Sequence, residues 1–295
     1  MSFALEEALR SRRALLELTK HMLREHGVRA SKRRGQNFSI SPRYLETFRS
    51  EVAKWPSGWI LEVGTGLGTL TYSVAAARSD LEVISVECDE RLFGAASVLL
   101  ASLPNVSLVL ADALELLEEA RVYGVFTSAP FSVASLILLA LARNNNIQRA
   151  VIGVQREVAR RLTARPGSRE YGRLTVVTSL HFRVKRLGDF DPGDFYPEPE
   201  VCTTVVALER RSPYERELGR LLEKLSACVF SARNKLAKKV VHSCLRALGV
   251  REPEASRIVA SAVAEDQRCR DLSPELLLEI ARNSLTSWRA TRASM

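Results

Sequence analysis

A glycine-rich turn and two acidic strand ends have the residue types of a nucleoside-binding site. The first predicted strand runs into Gly64-Thr65-Gly66-Leu67-Gly68, and a helical pattern follows from about Thr69. Glycines at a strand-to-helix turn let the backbone pass very close to a ligand. The spacing is G-x-G-x-G, whereas the dinucleotide fingerprint places its third glycine one residue later. The turn therefore favours the amino-acid end of S-adenosylmethionine over a nicotinamide cofactor, with an ordinary glycine-rich turn as the alternative.

Two carboxylates follow at the ends of the next two predicted strands. Glu87 lies 23 residues after Gly64, where an acidic side chain can accept hydrogen bonds from both ribose hydroxyls. Asp112 ends the third strand at the same edge of the sheet and can bond an adenine amino group. Either acid by itself is more typical of a helix cap. The ordered set of Gly64, Glu87 and Asp112 predicts a nucleoside-type cofactor site.

The fourth predicted strand leads into TSAPF at residues 127–131, which resembles the four-residue motif of amino-methyltransferases. An exocyclic amine is a poor nucleophile because its lone pair is delocalised into the ring. Hydrogen bonds from its two protons to the Ser128 side chain and the Ala129 carbonyl favour a pyramidal nitrogen. Pro130 fixes the turn, and Phe131 can stack on a base that is flipped out for reaction. A strand-ending turn with a core phenylalanine is the alternative interpretation.

The elements that must position these residues form an α/β domain. Short β-rich segments alternate with helical patterns from Trp59 to about Leu208. That rhythm predicts a Rossmann-like, mostly parallel sheet with helices on both faces. Residues 192–201 are too proline-rich for a central strand and are predicted to form a surface loop. The candidate strands are WILEVG, LEVISVE, VSLVLAD, GVFTSAP, AVIGVQ, TVVTSLHF and TTVVALE.

Helical patterns flank this domain. Residues 1–28 are predicted to form a helix that stops at Gly27, and from Tyr214 onward no strand pattern remains. Breaks near Gly249 to Pro253 and at Ser273-Pro274 divide the last part into several helices. We therefore expect a basic N-terminal helix and loop at 1–36, a methyltransferase domain at 37–212 and a small all-helical, RNA-binding C-terminal domain at 213–295.

The positive charge is concentrated in the two flanks. The chain has a net charge of +9. Residues 1–36 carry nine basic and four acidic groups and residues 211–295 carry sixteen and ten, which leaves the middle at about −2. A basic field around a nearly neutral catalytic domain favours an RNA partner over a merely solvated surface. The predicted RNA contacts are Lys32, Arg33 and Arg34 in the first loop, and Arg233, Lys235, Lys238 and Lys239 in one helical stretch.

Composition excludes several other classes of protein. No run of eighteen or more apolar residues is present, so a membrane span is not supported. The amino terminus lacks the apolar core and cleavage site of a secretory signal. Five widely spaced cysteines without paired-ligand spacing argue against a disulfide framework or a zinc site. We expect a cytoplasmic monomer that binds no metal.

The chain contains, in this order, the motifs GQNF, EVGTG, VE at 86–87, DA at 112–113, QREV, YGRL, FYPEP and VFSARNK. Together they resemble the small-subunit ribosomal RNA adenine dimethyltransferases of the KsgA type. The resemblance runs from about residue 24 to residue 285, and LREHGVR at 23–29 is similar to the archaeal branch. It implies two successive methyl transfers from S-adenosylmethionine to N6 of two adjacent adenines near the 3′ end of small-subunit ribosomal RNA, during ribosome biogenesis.

The resemblance also assigns site residues. Ser128 takes the place of a catalytic asparagine, and Phe131 and Phe195 are implied to stack on the two faces of the target adenine. Ser39 replaces the usual leucine after the GQNF motif. The residues implied to lie against the cofactor are Asn37, Ser39, Gly64, Gly66, Glu87, Asp112 and Ser128.

Two other functions are compatible with parts of the pattern. A serine oxygen accepts the same hydrogen bond as an asparagine oxygen but is held on a shorter arm. A ribosome-assembly factor that binds pre-ribosomal RNA with weak or no methylation is therefore an alternative, raised by Ser128. A Rossmann dehydrogenase is disfavoured by the G-x-G-x-G spacing and by the basic helical tail.

Overall fold

The computed structural model of the protein describes residues 6–30, 35–128 and 133–293. The chain folds as two units. The sheet unit comprises Met1–Ala159 and Val184–Arg210, and the helical unit comprises Arg160–Arg183 and Arg211–Met295. No helix in the described ranges is long and apolar enough to cross a membrane. Five predicted site residues lie outside the described residues: Lys32, Arg33, Arg34, Pro130 and Phe131.

A seven-stranded sheet in the order β4-β3-β2-β5-β6-β9-β7 forms the framework of the site. Strands β4, β3, β2, β5 and β6 are parallel, and β9 is antiparallel to β6. The predicted Rossmann-like methyltransferase fold is confirmed. The strands are β1 (Phe38–Ser39), β2 (Gly58–Val63), β3 (Leu81–Glu87), β4 (Val106–Leu110), β5 (Gly124–Thr127), β6 (Arg149–Gln155), β7 (Phe182–Phe190), β8 (Phe195–Tyr196) and β9 (Thr203–Arg210).

Helices connect the parallel strands. The central strand β2 is buried over its last four residues, as expected for a parallel strand covered on both faces. Chain order reverses between β2 and β5, and ligands bind at such a switch point, outside the carboxyl ends of the strands. The helices are α1 (Arg12–Glu25), α2 (Pro42–Val52), α3 (Thr69–Ala75), α4 (Glu90–Leu100), α5 (Ala113–Leu117), α6 (Ala134–Arg143) and α7 (Arg156–Leu162).

The predicted N-terminal helix is interrupted: residues 6–8 are helical, and a break at residues 9–11 separates them from α1. Helix α1 begins after Ser11, whose hydroxyl accepts a hydrogen bond from the Ala14 N–H. A side-chain oxygen at this position satisfies one of the unpaired donors of the first helical turn. Gly27 follows the helix with φ 59°, so the predicted stop is confirmed.

One predicted strand is a helix. The segment TVVTSLHF was expected to be extended, but Arg173–His181 forms helix α8. Thr175 accepts a hydrogen bond from the Gly172 N–H, and the Thr178 hydroxyl donates to the Leu174 carbonyl one turn earlier. Burial of Val176 and its neighbours outweighs the β propensity of the sequence. The strand of this region is the next element, β7 (Phe182–Phe190). Its charged residues interrupt the apolar pattern by which strands were predicted.

The predicted surface loop at 192–201 contains ordered structure. Pro192–Asp194 forms a 3-10 turn, and β8 pairs antiparallel with β1. Phe38 lies opposite Tyr196, and Ser39 lies opposite Phe195. The GQNF and FYPEP motifs are therefore joined by a two-stranded sheet.

The helical unit contains the breaks that were predicted. Helix α10 is followed by Gly249 with φ 91°, and α12 begins at Pro274. Residues 160–183, which were assigned to the methyltransferase domain, group with this unit. Its apolar core includes Leu221, Leu225 and Leu277. Besides α8, its helices are α9 (Arg216–Ser231), α10 (Ala237–Ala247), α11 (Glu254–Ala262) and α12 (Pro274–Ala293).

The prediction against a disulfide is wrong. Cys228 of α9 and Cys244 of α10 are joined, with their Cα atoms 5.9 Å apart. Their separation of 16 residues matches no paired-cysteine motif, and only the turn between the two helices brings them together. The bridge reduces the conformational entropy of the unfolded chain, which stabilises the folded helical unit.

Candidate active site

A cavity of about 600 Å³ opens at the carboxyl ends of β2, β3 and β5. This volume lies within the range of pockets that hold cofactors. The residues implied to contact the cofactor all line it: Asn37, Ser39, Gly64, Gly66, Glu87, Asp112 and Ser128. The fold therefore brings together residues that are up to 91 positions apart in the chain, and their individual roles remain predictions.

The glycine-rich turn forms one wall of the cavity. Gly64 and Gly66 have φ of 80° and 59°, a region that residues with a side chain rarely adopt. A methyl group at Gly66 would also touch the Phe38 ring, 3.4 Å away. This turn requires glycine for its backbone angles.

Glu87 ties the glycine-rich turn to the end of β3. Its Oε2 accepts a hydrogen bond of 2.8 Å from the Gly66 N–H, and its Oε1 accepts bonds of 3.0 Å from the N–H groups of Cys88 and Asp89. The side chain is 6 % exposed, and burial raises its pKa although the backbone donors oppose that rise. A carboxylate oxygen can accept two hydrogen bonds, so Oε2 keeps one acceptor site for a ligand hydroxyl.

Glu62 is a further site residue that was not predicted. It is fully buried and lines the cavity, and its Oε2 accepts hydrogen bonds from Thr71 Oγ1 at 2.5 Å and Ser85 Oγ at 2.6 Å. Burial, with a contribution from nearby Glu87, raises the pKa of Glu62 to about 8. Its Oε1 has no hydrogen-bond partner among the described residues. A buried acid with an unpaired oxygen fits a cationic ligand group such as the ammonium of S-adenosylmethionine. The sequence offered one indication of this role, because Glu62 is a charged residue inside an otherwise apolar strand.

The remaining cofactor residues are held by local hydrogen bonds. Asp112 caps α5 by accepting from the Leu114 N–H at 2.9 Å, so the helix-cap interpretation holds for one of its oxygens. Asn37 donates to the Gly35 carbonyl at 3.2 Å, and Ser39 Oγ accepts from the Ser41 N–H at 3.3 Å. These bonds fix the loop before α2 at the mouth of the cavity.

Ser128 lies just beyond the end of β5, half-buried on the cavity wall. Its hydroxyl is 2.7 Å from the Tyr44 hydroxyl. The preceding residue, Thr127, donates to the Val63 carbonyl at 2.7 Å and fixes the end of β5 against β2. Tyr44 was not predicted as a site residue. It is an aromatic residue in a helix, and its partner Ser128 lies 84 positions further along the chain.

Phe195, which was implied to stack on the target adenine, is buried in the structure. Pairing of β8 with β1 places its ring in the core, where it is 3 % exposed and contacts Tyr44 edge-on with ring centroids 5.1 Å apart. It is not among the described residues that line the cavity. A stacking role would require the ring to be uncovered first.

The four basic residues predicted in the helical unit do not share one helix. Helix α9 ends at Ser231 and α10 begins at Ala237, because Leu236 forms a bridge with Arg268 that diverts the chain. Arg233 donates to the carbonyls of Ser168 and Arg169, and Lys238 forms an ion pair with Glu265. The side chains that remain exposed are Lys235 and Lys239.

Comparisons with known proteins agree on one family. The family model for ribosomal RNA adenine dimethylase matches residues 27–283. A probable ribosomal RNA small subunit methyltransferase A from Aeropyrum pernix is 39% identical over 75% of this chain and 79% of its own length. A second one, from Pyrobaculum aerophilum, is 37% identical over 71% and 87%. Among solved structures, a dimethyladenosine transferase from Plasmodium falciparum shares the fold with a TM-score of 0.69 and 20% identity, over 82% of this chain and 95% of that one.

Proposed function

The chain belongs to the ribosomal RNA adenine dimethylases, and on this premise we propose that it dimethylates N6 of two adjacent adenines near the 3′ end of small-subunit ribosomal RNA. It is an S-adenosylmethionine-dependent ribosomal RNA adenine methyltransferase. The observation that carries the proposal is that Ser128 shares one cavity wall with Gly66 and Glu87. Cytoplasmic action as a monomer during ribosome biogenesis completes the proposal.

The cavity residues divide into two groups by what they do. Gly64, Gly66, Glu62 and Glu87 would hold S-adenosylmethionine, which supplies an electrophilic methyl group when bound. Ser128 Oγ would accept a hydrogen bond from the target amine and so localise the nitrogen lone pair for attack.

The experiment that tests this function uses small-subunit particles that lack the modification. Incubation with methyl-labelled cofactor should place label in the RNA of these particles, and a parallel reaction with large-subunit particles should leave their RNA unlabelled. Label in large-subunit RNA alone, or in protein, would contradict the proposed substrate.

Replacing Glu62 should change how cofactor binding depends on pH. Below about pH 8 the free side chain is protonated, because burial raises its pKa to about 8. A bound cation favours the ionised form, so binding releases a proton and the affinity should rise as the pH rises towards 8. Glu62→Gln should bind S-adenosylmethionine about tenfold more weakly near pH 8, where Glu62 can ionise and the ligand ammonium still carries part of its charge. Its affinity should also show a smaller rise with pH.

Calorimetry at several pH values, in buffers of different ionisation enthalpy, measures both the affinity and the proton release. Glu87 also titrates in this cavity and is coupled to Glu62, so the comparison measures the change in proton release when Glu62 is removed from this pair. Equal affinity and equal proton release in wild type and Glu62→Gln would show that Glu62 does not contact the cofactor.

Lys235 and Lys239 should contribute to RNA affinity, since both are exposed in the helical unit. Reversing both charges to Glu should weaken binding to small-subunit RNA. For each phosphate that the protein no longer neutralises, the slope of log affinity against log salt should fall by about one. Filter binding over a range of salt concentrations measures the slope.

The matched control reverses Arg220 and Lys224, which are exposed on α9 and lie outside the predicted RNA contacts. This pair changes the net charge by the same amount. If both double variants lose the same affinity, the effect belongs to overall charge and the assigned contacts are wrong.

A further inference from the structure

We propose that Tyr44 is a positioning residue that holds the Ser128 hydroxyl in place for the target amine. The inference rests on the proposed function, since it concerns how a serine carries out a step that the resemblance assigns to an asparagine. It depends on three residues from three elements: Tyr44 of α2, Ser128 after β5 and Gly153 of β6.

The first observation is the contact itself. Tyr44 Oη and Ser128 Oγ are 2.7 Å apart, and both residues line the cavity. A serine side chain has three staggered positions, and a single strong partner selects one of them. Tyr44 is buried, so a hydroxyl without this partner would lose its hydrogen bond to water with no replacement. The hydrogen bond therefore restrains the orientation of both hydroxyl groups.

The Tyr44 ring is itself fixed by other aromatic rings. Its centroid lies 5.1 Å from that of Phe48, 4.9 Å from that of Phe190 and 5.1 Å from that of Phe195. The last two contacts are edge-on, a favoured geometry for aromatic pairs. The buried ring of Phe195 thus helps to fix the position of the Tyr44 hydroxyl.

Gly153 provides the space that the hydroxyl occupies. A methyl group at this position would overlap the Tyr44 hydroxyl oxygen. Glycine in the middle of a strand is unfavourable and often marks a close approach of another group. Strand β6 pairs with β5 through Thr127 and Ile152, so this space lies beside the residue that precedes Ser128.

The chemistry of the pair suits an acceptor role for Ser128. Burial raises the pKa of Tyr44 above its ordinary range, so the phenol stays protonated at every working pH. Either hydroxyl can donate in this pair, and we take Tyr44 as the donor and Ser128 as the acceptor because a phenol is a better donor than an alcohol. A hydroxyl oxygen has two lone pairs, which leaves one on Ser128 for the amine proton. Tyr44 thus fixes the orientation of the Ser128 hydroxyl, whose side chain is shorter than that of the asparagine it replaces.

A double-mutant cycle tests this coupling. Tyr44→Phe removes one oxygen and keeps the ring, and it should lower the single-turnover methylation rate about tenfold with little change in cofactor affinity. In the Ser128→Ala background the same change should have no further effect. Ser128→Asn should restore the rate in the Tyr44→Phe protein, because the longer arm does not depend on the phenol.

The control is Tyr171→Phe, which removes a buried hydroxyl that donates to the Leu272 carbonyl in the helical unit. It should lower stability and leave the methylation rate unchanged. A wild-type rate in Tyr44→Phe, or losses that add in the double variant, would overturn the inference and leave the proposed function intact.

Denaturant unfolding of the same four proteins gives a reading that does not depend on activity. The two substitutions should be coupled by about fivefold in the unfolding equilibrium constant. Absence of this coupling overturns the inference whether or not the RNA is methylated. Coupling without methylation by wild type would instead contradict the proposed function, while the contact between the two hydroxyls would stand.

Discussion

Ser128→Ala should lower the methylation rate constant about a hundredfold, since removal of one group that stabilises a transition state costs about 2–4 kcal/mol. The hydroxyl lies on the cavity wall with its partner Tyr44 at 2.7 Å, which is the geometry of an oriented acceptor. Cofactor affinity should fall far less, because the groups predicted to bind the cofactor are otherwise intact. Single-turnover kinetics on pre-ribosomal particles, with calorimetry for the cofactor, separate the two effects.

Ser128→Asn is the matched control for this prediction, since it keeps an acceptor at the same position on a longer arm. It should remain active. Equal rates for wild type and Ser128→Ala on a genuine pre-ribosomal substrate would mean that the serine takes no part in the reaction. That result would support a ribosome-assembly factor that binds RNA without effective methylation.

Glu87→Ala should weaken S-adenosylmethionine binding by about 3 kcal/mol, roughly a hundredfold. The substitution removes a charged acceptor for the ribose hydroxyls. It also leaves the N–H groups of Gly66, Cys88 and Asp89 without their acceptor, so the glycine-rich turn loses its link to β3. Titration calorimetry measures the dissociation constant directly.

Glu82→Ala controls for the loss of an acidic residue from the same strand, because Glu82 is exposed and points away from the cavity lining. It should bind the cofactor as wild type does. Wild-type affinity in Glu87→Ala would contradict the assignment of the ribose site.

The cofactor wall was predictable because its signals are local. Gly64 and Gly66 indicate a turn by their own backbone freedom, and Glu87 follows at the end of the next strand. Parallel strands bring their carboxyl ends to one edge, so order along the chain becomes proximity in space. These residues line one cavity for that reason.

The rest of the site depends on contacts that the sequence does not encode locally. Tyr44 contacts Ser128, which lies 84 positions away in the chain. The need for glycine at position 153 is evident only in the folded structure, where β6 lies beside the Tyr44 phenol. Phe195 was implied to face the target base, but pairing of β8 with β1 turned it into the core. Each of these outcomes follows from tertiary packing.

Tertiary packing also accounts for the wrong predictions about the fold. Helix α8 has a β-branched sequence, and burial together with threonine hydrogen bonds to its own backbone determines its conformation. The bridge between Cys228 and Cys244 joins neighbouring helices at a spacing that no cysteine motif anticipates. Local propensity predicted the elements well where tertiary packing agreed with it.

The most direct test of the central claim is mass spectrometry of small-subunit RNA, digested after reaction of unmodified particles with the protein and S-adenosylmethionine. We predict N6,N6-dimethyladenosine at two adjacent positions near the 3′ end, and none in the reaction with Glu87→Ala at a cofactor concentration below its weakened dissociation constant. Unmodified adenines at both positions, from wild-type protein that binds the cofactor and the particle, would contradict the account.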